Sequence, residues 1–326
     1  MLSSRIIGTG SFAPKKVLTN HDLEAMVDTT DEWIFSRTGI RERRLSAGCT
    51  TAEMAVKAAR SALKAAGVLA KDIDLVVVGT VTADMTFPST ACLIQSSLGI
   101  KSGTPAFDVS AACSGFLYAL DAADRYIVAG GVKKALVVGV DRFSGIIDWK
   151  DRGTCVLFGD GAGAVVLRAE KGSRRGILSS RIHSDGRLWE TLYAPSAIPQ
   201  GPFGKKKGEA SPYLRMNGNE TFKVAVRTMT TAITETLAKS GLRKEDISLL
   251  VPHQANIRIM NAIKERMGLA DGKLFSNIDR YGNTSAGSIP LALDEAVRAG
   301  MVKDNDIIVF VAFGGGLTWA SAVVRW

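Results

Sequence analysis

Residues that bind metals or cross-link chains are scarce in this sequence. It contains three histidines and no HExxH pattern, which argues against a catalytic metal. Its four cysteines lack CxxC spacing, which argues against a structural zinc site and a disulfide framework. We interpret Cys49, Cys92 and Cys155 as small packing residues, because cysteine is among the most often buried residue types. Only Cys113 stands in a setting that suggests chemistry.

Long hydrophobic runs are also absent. The longest, such as residues 307–313, are far shorter than a membrane span. Residues 1–12 lack the apolar stretch and the cleavage site of a signal peptide. We therefore expect a cytoplasmic protein without a membrane partner.

Acidic residues are outnumbered by basic ones. Lys and Arg number 41 against 32 Asp and Glu, so the formal net charge is +9, while aromatic residues make up only 7%. No nucleic-acid-binding motif accompanies the basic clusters, so we expect no nucleic-acid partner. Most of these charges fit a solvated surface. The sharper alternative is an acidic macromolecular substrate, because a positive rim would accelerate its capture.

Hydrophobic residues make up 46% of the chain, which is enough for a well-buried core. Segments rich in Val, Ile and Leu alternate with helical patterns, which predicts an α/β fold with buried strands. The strands predicted in this way include residues 75–78, 135–138, 165–167, 249–251 and 307–311.

Parts of the chain resemble each other. Residues 63–75 recur as residues 237–249, and the Ala-Leu-Asp segment at residues 119–121 recurs at residues 292–294. Self-similarity of this kind indicates a duplicated structural unit.

The repeat predicts how the chain is divided. We expect two α/β halves, residues 1–170 and 171–326, the first with the reactive cysteine and the second with a histidine and an asparagine. The repeat aligns Cys113 with Ala286, so both would lie in equivalent strand-to-helix turns.

Three short segments each place one reactive side chain among small residues: Cys113 in DVSAACSGF, His253 in VPHQANIRI and Asn283 in YGNTSAGS. A thiol, an imidazole and a carboxamide that meet in space supply a nucleophile and two hydrogen-bond donors, which carbon–carbon bond formation through an acyl-enzyme requires. Taken singly, His253 also fits a structural group and Asn283 fits turn chemistry. Together they predict the active site of a condensing enzyme.

The thiol of Cys113 needs activation to act as a nucleophile. An ordinary cysteine has a pKa of about 8.5, so ionisation near pH 7 requires roughly 2 kcal/mol. Cys113 is predicted at the first turn of a buried helix, whose dipole contributes about 0.3–1 kcal/mol at most sites. We therefore expect the imidazole of His253 to help ionise the thiol.

These segments resemble the β-ketoacyl-acyl-carrier-protein synthase III family of thiolase-fold enzymes. The resemblance runs nearly end to end and implies a thiolase-like fold, in which duplicated α/β halves form an αβαβα layered sandwich. The motifs in family order are DEWIxxRTGIxxR at 31–43, FPSxAC at 87–92, DRGTxxxFGDGAGA at 151–164, MNGNETFK at 216–223, HQANIRI at 253–259, GNTSAGS at 282–288 and AFGGGLTW at 312–319.

The resemblance implies an acyltransferase that starts fatty-acid synthesis by decarboxylative condensation of an acyl-CoA with malonyl-acyl-carrier protein. Cys113 would be the nucleophile, and the backbone N–H groups of Cys113 and Gly315 would form the oxyanion hole. His253 and Asn283 would donate hydrogen bonds to the enolate left when the malonyl thioester loses CO2. No cofactor is implied, because the CoA thioester is itself a substrate.

A CoA site is implied as well. Trp33 and Arg37 would clamp the adenine by stacking, although Trp33 also fits simple core packing. Further residues would surround the base or line the pantetheine tunnel. The residues that match the family's CoA contacts are Trp33, Arg37, Thr38, Arg152, Gly218, Phe222 and Asn256.

Partner proteins follow from the same resemblance. Lys223 and Arg258 match basic residues that receive the acidic carrier protein. Phe87 matches a residue that the partner subunit places at the end of the acyl pocket, which implies a homodimer. A bulky ring at this position favours a short primer such as acetyl-CoA. Residues 184–212 match the family least distinctly, and we interpret them as a mobile loop.

Two alternatives stay open. A related thiolase-fold enzyme would use a longer or branched acyl primer, or a secondary-metabolite substrate, or free malonyl-CoA. A non-catalytic CoA-binding module would bind CoA without acyl transfer, and three intact reactive residues argue against it. A papain-like protease is disfavoured because its CGSCW-type signature is missing. A Rossmann dehydrogenase is disfavoured because Gly8-Thr-Gly10 lacks the rest of a phosphate-binding loop.

Overall fold

The structure is a computed structural model that describes residues 2–195 and 212–326. The strands are β1 (Leu2–Phe12), β2 (Lys16–Thr19), β3 (Glu42–Leu45), β4 (Leu75–Gly79), β5 (Ala106–Val109), β6 (Lys134–Arg142), β7 (Asp160–Lys171), β8 (Gly176–Ser184), β9 (Leu192–Tyr193), β10 (Arg215–Met216), β11 (Leu249–Pro252), β12 (Ile307–Gly314) and β13 (Thr318–Arg325). The helices are α1 (Asn20–Glu24), α2 (Asp31–Thr38), α3 (Thr51–Ala66), α4 (Thr90–Leu98), α5 (Gly115–Val128), α6 (Arg152–Cys155), α7 (Gly218–Lys239), α8 (Ile257–Met267), α9 (Ile278–Tyr281) and α10 (Ser288–Arg298).

Local sequence signals explain where helices begin and end, as α3 illustrates. Thr50 and Glu53 form a capping box at its start, and Gly67 ends it in the left-handed conformation at φ 62°. Its inner face is rich in alanine, which lets β1 approach closely. A Cβ at Gly10 of β1 would lie only 2.3 Å from the backbone nitrogen of Ala62.

The strand order repeats in the two central sheets. The first has the order β1-β7-β6-β4-β5, and the second has the order β8-β13-β12-β11. The pair β4 with β6 in the first sheet and the equivalent pair β11 with β12 in the second are parallel, and the pairs that follow them toward β1 and β8 are antiparallel. The first sheet has one further parallel pair, β4 with β5. This repetition confirms the predicted duplication of an α/β unit.

Helices and sheets alternate in five layers. The central helices α5 and α10 lie between the two sheets, where residues such as Phe116, Leu293 and Phe310 form a buried cluster. Helix α3 packs on the outer face of the first sheet, and α7 packs on the outer face of the second. The order of layers is αβαβα, which confirms the predicted fold class. The strands of the first sheet lie within residues 2–171 and those of the second within 176–325, while the division into domains at residue 170 stays a prediction.

The repeated Ala-Leu-Asp segments make equivalent contacts. Asp121 of α5 accepts a hydrogen bond from Ser180 of β8. Asp294 of α10 accepts one of 2.8 Å from Thr9 of β1. Each aspartate therefore joins a central helix to the sheet of the opposite half.

Several features bear on the expectations about membranes, metals and loops. No helix in the described part of the chain is long and apolar enough to cross a membrane. Across residues 2–195 and 212–326, no three His, Cys, Asp or Glu side chains are grouped so as to hold a metal ion. Of the predicted loop at 184–212, residues 196–211 lie outside the described residues, and the rest includes a 3₁₀ turn at Gly186–Thr191.

Candidate active site

Cys113 lies in a tight turn where the chain passes from β5 into α5. The turn is a 3₁₀ segment, Ala112–Ser114, and Ala112 before the cysteine has a left-handed φ of 46°. A non-glycine residue in this region is strained, which is common at functional sites. The thiol side chain is buried, with 6% of the residue exposed.

Asn283 precedes an equivalent turn in the second half. That turn is Ser285–Gly287, and Ser285 has a left-handed φ of 49°, as Ala112 has in the first half. The side-chain Oδ1 of Asn283 accepts a hydrogen bond of 2.8 Å from the backbone N–H of Ser285. Because Oδ1 is engaged in this way, Nδ2 is the group of Asn283 that can donate to a ligand.

His253 follows β11 at the carboxyl end of the second sheet. Its Nδ1 lies 2.7 Å from Oγ of Ser288, the first residue of α10, and its ring is buried. Since Nδ1 is engaged, Nε2 is the nitrogen that can serve a ligand. If Ser288 donates this hydrogen bond, Nδ1 is unprotonated and Nε2 holds the proton.

Burial sets the protonation of both titratable groups. It raises the pKa of the Cys113 thiol to about 12, with the nearby Asp141 carboxylate adding to the shift. Burial also lowers the pKa of His253 to about 3. At neutral pH the resting pair is therefore a thiol and an uncharged imidazole. The raised pKa contradicts the expectation of a thiol ionised near pH 7 in the free protein, because desolvation outweighs the hydrogen bond from Ser285 that lowers the pKa.

One cavity of about 560 Å³ brings the predicted residues together. Cys113, His253 and Asn283 all line it. Most of the residues expected to bind CoA or the carrier protein line it as well. They are Trp33, Arg37, Thr38, Gly218, Phe222, Lys223, Asn256 and Arg258.

The indole of Trp33 is flanked by two guanidinium groups. Cζ of Arg37 lies 5.0 Å from the ring centroid and Cζ of Arg152 lies 4.9 Å from it. Trp33 is only partly buried, so it is not a pure core residue. A partly exposed aromatic ring with two cations beside it is suited to stack with a planar, anionic ligand such as a nucleotide.

Two polar residues of the cavity wall also have structural partners. Asn256 caps α8, because its Oδ1 accepts from the N–H of Arg258 at 2.8 Å, while its Nδ2 donates to the carbonyl of Arg37 at 3.0 Å. Thr38 donates from Oγ1 to the carbonyl of Ile34 at 2.7 Å. Their hydrogen bonds to a ligand stay predictions.

Gly315 lines a second cavity, of about 410 Å³, that also reaches Cys113. Thr318 holds the loop of Gly315 against the cysteine turn, because its Oγ1 lies 2.9 Å from the carbonyl of Ala111 and 3.1 Å from that of Gly315. A Cβ at Gly314 would lie 2.7 Å from the nitrogen of Cys113, so this position requires glycine. The walls of the second cavity include apolar side chains from Val81, Phe143, Ile146, Phe158, Trp189, Leu192 and Leu214.

Phe87 lies apart from both cavities. It lines neither of them, and 83% of its surface is exposed. Its predicted place in an acyl pocket depends on a second copy of the chain.

Sequence inspection missed two residues that support the site. Ser288 and Thr318 fall within the GNTSAGS and AFGGGLTW motifs. Their positions beside Asn283 and Gly315 were the available signal. Only the folded structure shows which groups these two hydroxyls contact.

Comparisons with known proteins agree with this architecture. The family model described as 3-oxoacyl-[acyl-carrier-protein (ACP)] synthase III matches residues 107–186, and the model of its C-terminal part matches residues 237–326. A β-ketoacyl-[acyl-carrier-protein] synthase III from Alkalilimnicola ehrlichii is 52% identical, with 100% of both chains covered.

Solved structures give the same picture. The 3-oxoacyl-[acyl-carrier-protein] synthase III from Aquifex aeolicus has a TM-score of 0.92 at 49% identity, covering 99% of this chain and 100% of the other. The priming β-ketosynthase of the R1128 polyketide biosynthetic pathway has a TM-score of 0.92 at 37% identity, covering 99% and 96%. Fold and site together define an acyl-transferring condensing enzyme of the thiolase fold. The chain belongs to the β-ketoacyl-[acyl-carrier-protein] synthase III family.

Proposed function

We propose that this enzyme condenses an acyl-CoA primer, in the first instance acetyl-CoA, with malonyl-acyl-carrier protein. The products are a 3-oxoacyl-carrier protein, CO2 and CoA, and the reaction starts fatty-acid synthesis. The observation that supports this most is the shared cavity, which is lined both by Cys113, His253 and Asn283 and by Trp33 and Arg37.

In the first step Cys113 takes the acyl group from CoA. Sγ bonds to the thioester carbonyl carbon, the bond from that carbon to the CoA sulfur breaks, and the thiol proton leaves with the CoA thiolate. The N–H groups of Cys113 and Gly315 hold the transient oxyanion. Since burial keeps the resting thiol protonated, its proton passes to the CoA sulfur as the carbon–sulfur bond breaks.

In the second step the malonyl thioester loses CO2 and its enolate attacks the acyl-Cys113 carbonyl. Nδ2–H of Asn283 and Nε2–H of His253 stabilise the enolate oxygen. The low pKa of His253 keeps the ring uncharged, so it donates without placing a permanent cation beside the substrate. Stabilisation that develops with the charge lowers the barrier rather than the ground state.

The second cavity is the proposed site of the primer's acyl chain. It opens on the nucleophile and is largely apolar, with Phe143 and Leu214 in its walls. In a homodimer, the exposed Phe87 of a second copy would close it and limit the primer's length. Strand β5 supports such pairing, because it is one of the two edge strands of the first sheet.

The carrier protein is proposed to dock at the mouth of the 560 Å³ cavity. Lys223 and Arg258 line this cavity and are exposed. Cζ of Arg258 lies 5.8 Å from the ring centroid of Phe222, which keeps the guanidinium at the cavity wall. An acidic protein would be steered to this rim. The cytoplasmic location expected from the sequence suits such a partner and stays a prediction.

Mass spectrometry of the protein mixed with acetyl-CoA, and separately with longer and branched acyl-CoAs, tests the nucleophile and ranks the primers. We expect one acyl group on the peptide that contains Cys113, and none in Cys113→Ser, which should still bind CoA. An acyl group on another residue would overturn the assignment of the nucleophile. No adduct with any acyl-CoA, while CoA binds, would instead support a binding module.

A further inference from the structure

We propose that Asp141 is a positioning residue for Asn283: its carboxylate anchors the 283–286 turn so that the amide N–H of Asn283 faces the cavity. The inference rests on the proposed role of Asn283 in decarboxylation. It adds a residue that lines neither cavity.

Two consecutive backbone N–H groups of this turn donate hydrogen bonds to two different side chains. The N–H of Ser285 donates to Oδ1 of Asn283 at 2.8 Å. The N–H of Ala286 donates to Oδ2 of Asp141 at 3.2 Å. Ser285, between them, has the strained φ of 49°. The bond to Asp141 therefore holds a backbone conformation that orients the Asn283 amide.

The other oxygen of Asp141 is fixed from the first half. Oδ1 accepts from Thr80 Oγ1 at 3.1 Å, from the N–H of Val81 at 2.9 Å and from Thr82 Oγ1 at 2.8 Å. Asp141 is fully buried. Only a carboxylate presents acceptors on both oxygens, since an asparagine would turn a donor toward one of these sets. The side chain is thus a rigid link between the two halves.

The internal repeat explains why a carboxylate lies here. The equivalent strand pairings align Asp141 at the end of β6 with Gly314 at the end of β12. The repeat also aligns Ala286 with Cys113. At Gly314 no side chain covers the N–H of Cys113, which is left for a transient oxyanion. At Asp141 a carboxyl oxygen occupies the equivalent position and accepts the N–H of Ala286, so this N–H is not free to bind a transient oxyanion.

The Asp141 carboxylate has an opposite effect on the nucleophile: it supports the step that uses Asn283 but disfavours ionisation of Cys113. It is one of the groups that raise the pKa of the Cys113 thiol. Removing the charge should therefore leave thiol attack as fast or faster, while loosening the turn slows the step that uses Asn283. A residue with only a structural role would slow both steps together.

The test compares two single-turnover rates in Asp141→Asn: acylation of Cys113 by acetyl-CoA, and consumption of the acyl-enzyme by malonyl-carrier protein. We expect acylation at or above the wild-type rate and consumption slowed at least about 10-fold, with the ~10²–10³-fold cost of losing a transition-state donor outright as the upper bound. Thr82→Val is the matched control, because it removes one bond to Asp141 and one from the N–H of Arg142 but leaves the carboxyl group. Both of its rates should stay within about 3-fold of wild type.

A rescue variant separates anchoring from folding. Ser285→Gly adopts φ of 49° without strain, so Asp141→Asn with Ser285→Gly should recover part of the lost consumption rate. Equal slowing of both steps in Asp141→Asn, or no acylation in either variant, would show a merely structural role and overturn the inference. Unchanged consumption would also overturn it. Asn283→Ala is measured in parallel to distinguish the two proposals. If this variant consumes the acyl-enzyme at the wild-type rate, the proposed role of Asn283 itself is wrong, and not only the role of Asp141.

Discussion

At the scale of single residues, desolvation decides the protonation of the site. The pKa of Cys113 rises to about 12 and that of His253 falls to about 3, both through burial. An uncharged imidazole can donate a hydrogen bond from Nε2 during decarboxylation without placing a cation beside the substrate. The same burial predicts that the thiol of the free protein reacts slowly at neutral pH.

Alkylation by iodoacetamide reports the raised pKa of Cys113. Because only the thiolate reacts, its fraction should increase about tenfold per pH unit wherever the pH is below the pKa. We therefore expect the rate of Cys113 alkylation to rise from pH 6 to pH 9 without levelling. A plateau with a midpoint near pH 7 would contradict the account and favour ionisation in the resting state. Cys113→Ser provides the background from the other three cysteines.

At the scale of elements, the site depends on turns at the ends of parallel strands. Thr318 at the start of β13 joins the cysteine turn to the loop of Gly315. This hydroxyl fixes the distance between the two N–H groups of the proposed oxyanion hole. Both contacts are made by Oγ1 of Thr318, so a valine at this position removes them and keeps the shape of the side chain.

Thr318→Val should slow acylation of Cys113 by about 10-fold, less than the ~10²–10³-fold cost of losing an oxyanion donor outright. Thr318→Ser keeps the hydroxyl and should stay within about 3-fold of wild type. Pre-steady-state acylation by acetyl-CoA measures both, with CoA affinity as a check on folding. Equal slowing in the two variants would show that the methyl packing matters and the hydroxyl does not.

Much of the architecture could be predicted at this scale, because periodic apolar segments and a visible repeat determine layers and strand order. The grouping of Cys113, His253 and Asn283 was also predictable, since each lies just after an apolar strand or in a glycine-rich turn. Left-handed φ at Ala112 and Ser285 was not, because neither residue prefers it. Asp141 was missed for a related reason: nothing in VVGVDRF shows that its carboxylate reaches a turn of the other half.

At the scale of the whole molecule, net charge and the second copy matter. The formal charge of +9 is spread over the surface, but Arg258 combines exposure with a place at the cavity wall. Phe87 is 83% exposed, and its proposed place at the acyl pocket of a second copy stays a prediction.

Arg258→Glu should raise the KM for malonyl-carrier protein about 10-fold and leave the KM for acetyl-CoA within about 2-fold. The reversed charge repels an acidic partner at the mouth of the cavity. Arg266→Glu is the matched control, because it makes the same change in net charge on the same helix outside the cavity. Steady-state kinetics at low salt measures both. If both variants raise the KM for malonyl-carrier protein equally, the effect comes from net charge and the proposed docking site is wrong.

The central claim is a division of labour, in which Cys113 holds the acyl group while His253 and Asn283 activate the malonyl thioester. Its most direct test is a quenched single turnover of preformed acetyl-Cys113 with malonyl-carrier protein, in wild type, His253→Ala and Asn283→Ala. We expect all three proteins to form the acyl-enzyme, and only the wild type to consume it rapidly, with CO2 released and the acetyl group transferred to the carrier protein. Consumption at the wild-type rate by both variants, or persistence of acetyl-Cys113 in the wild type, would contradict the account.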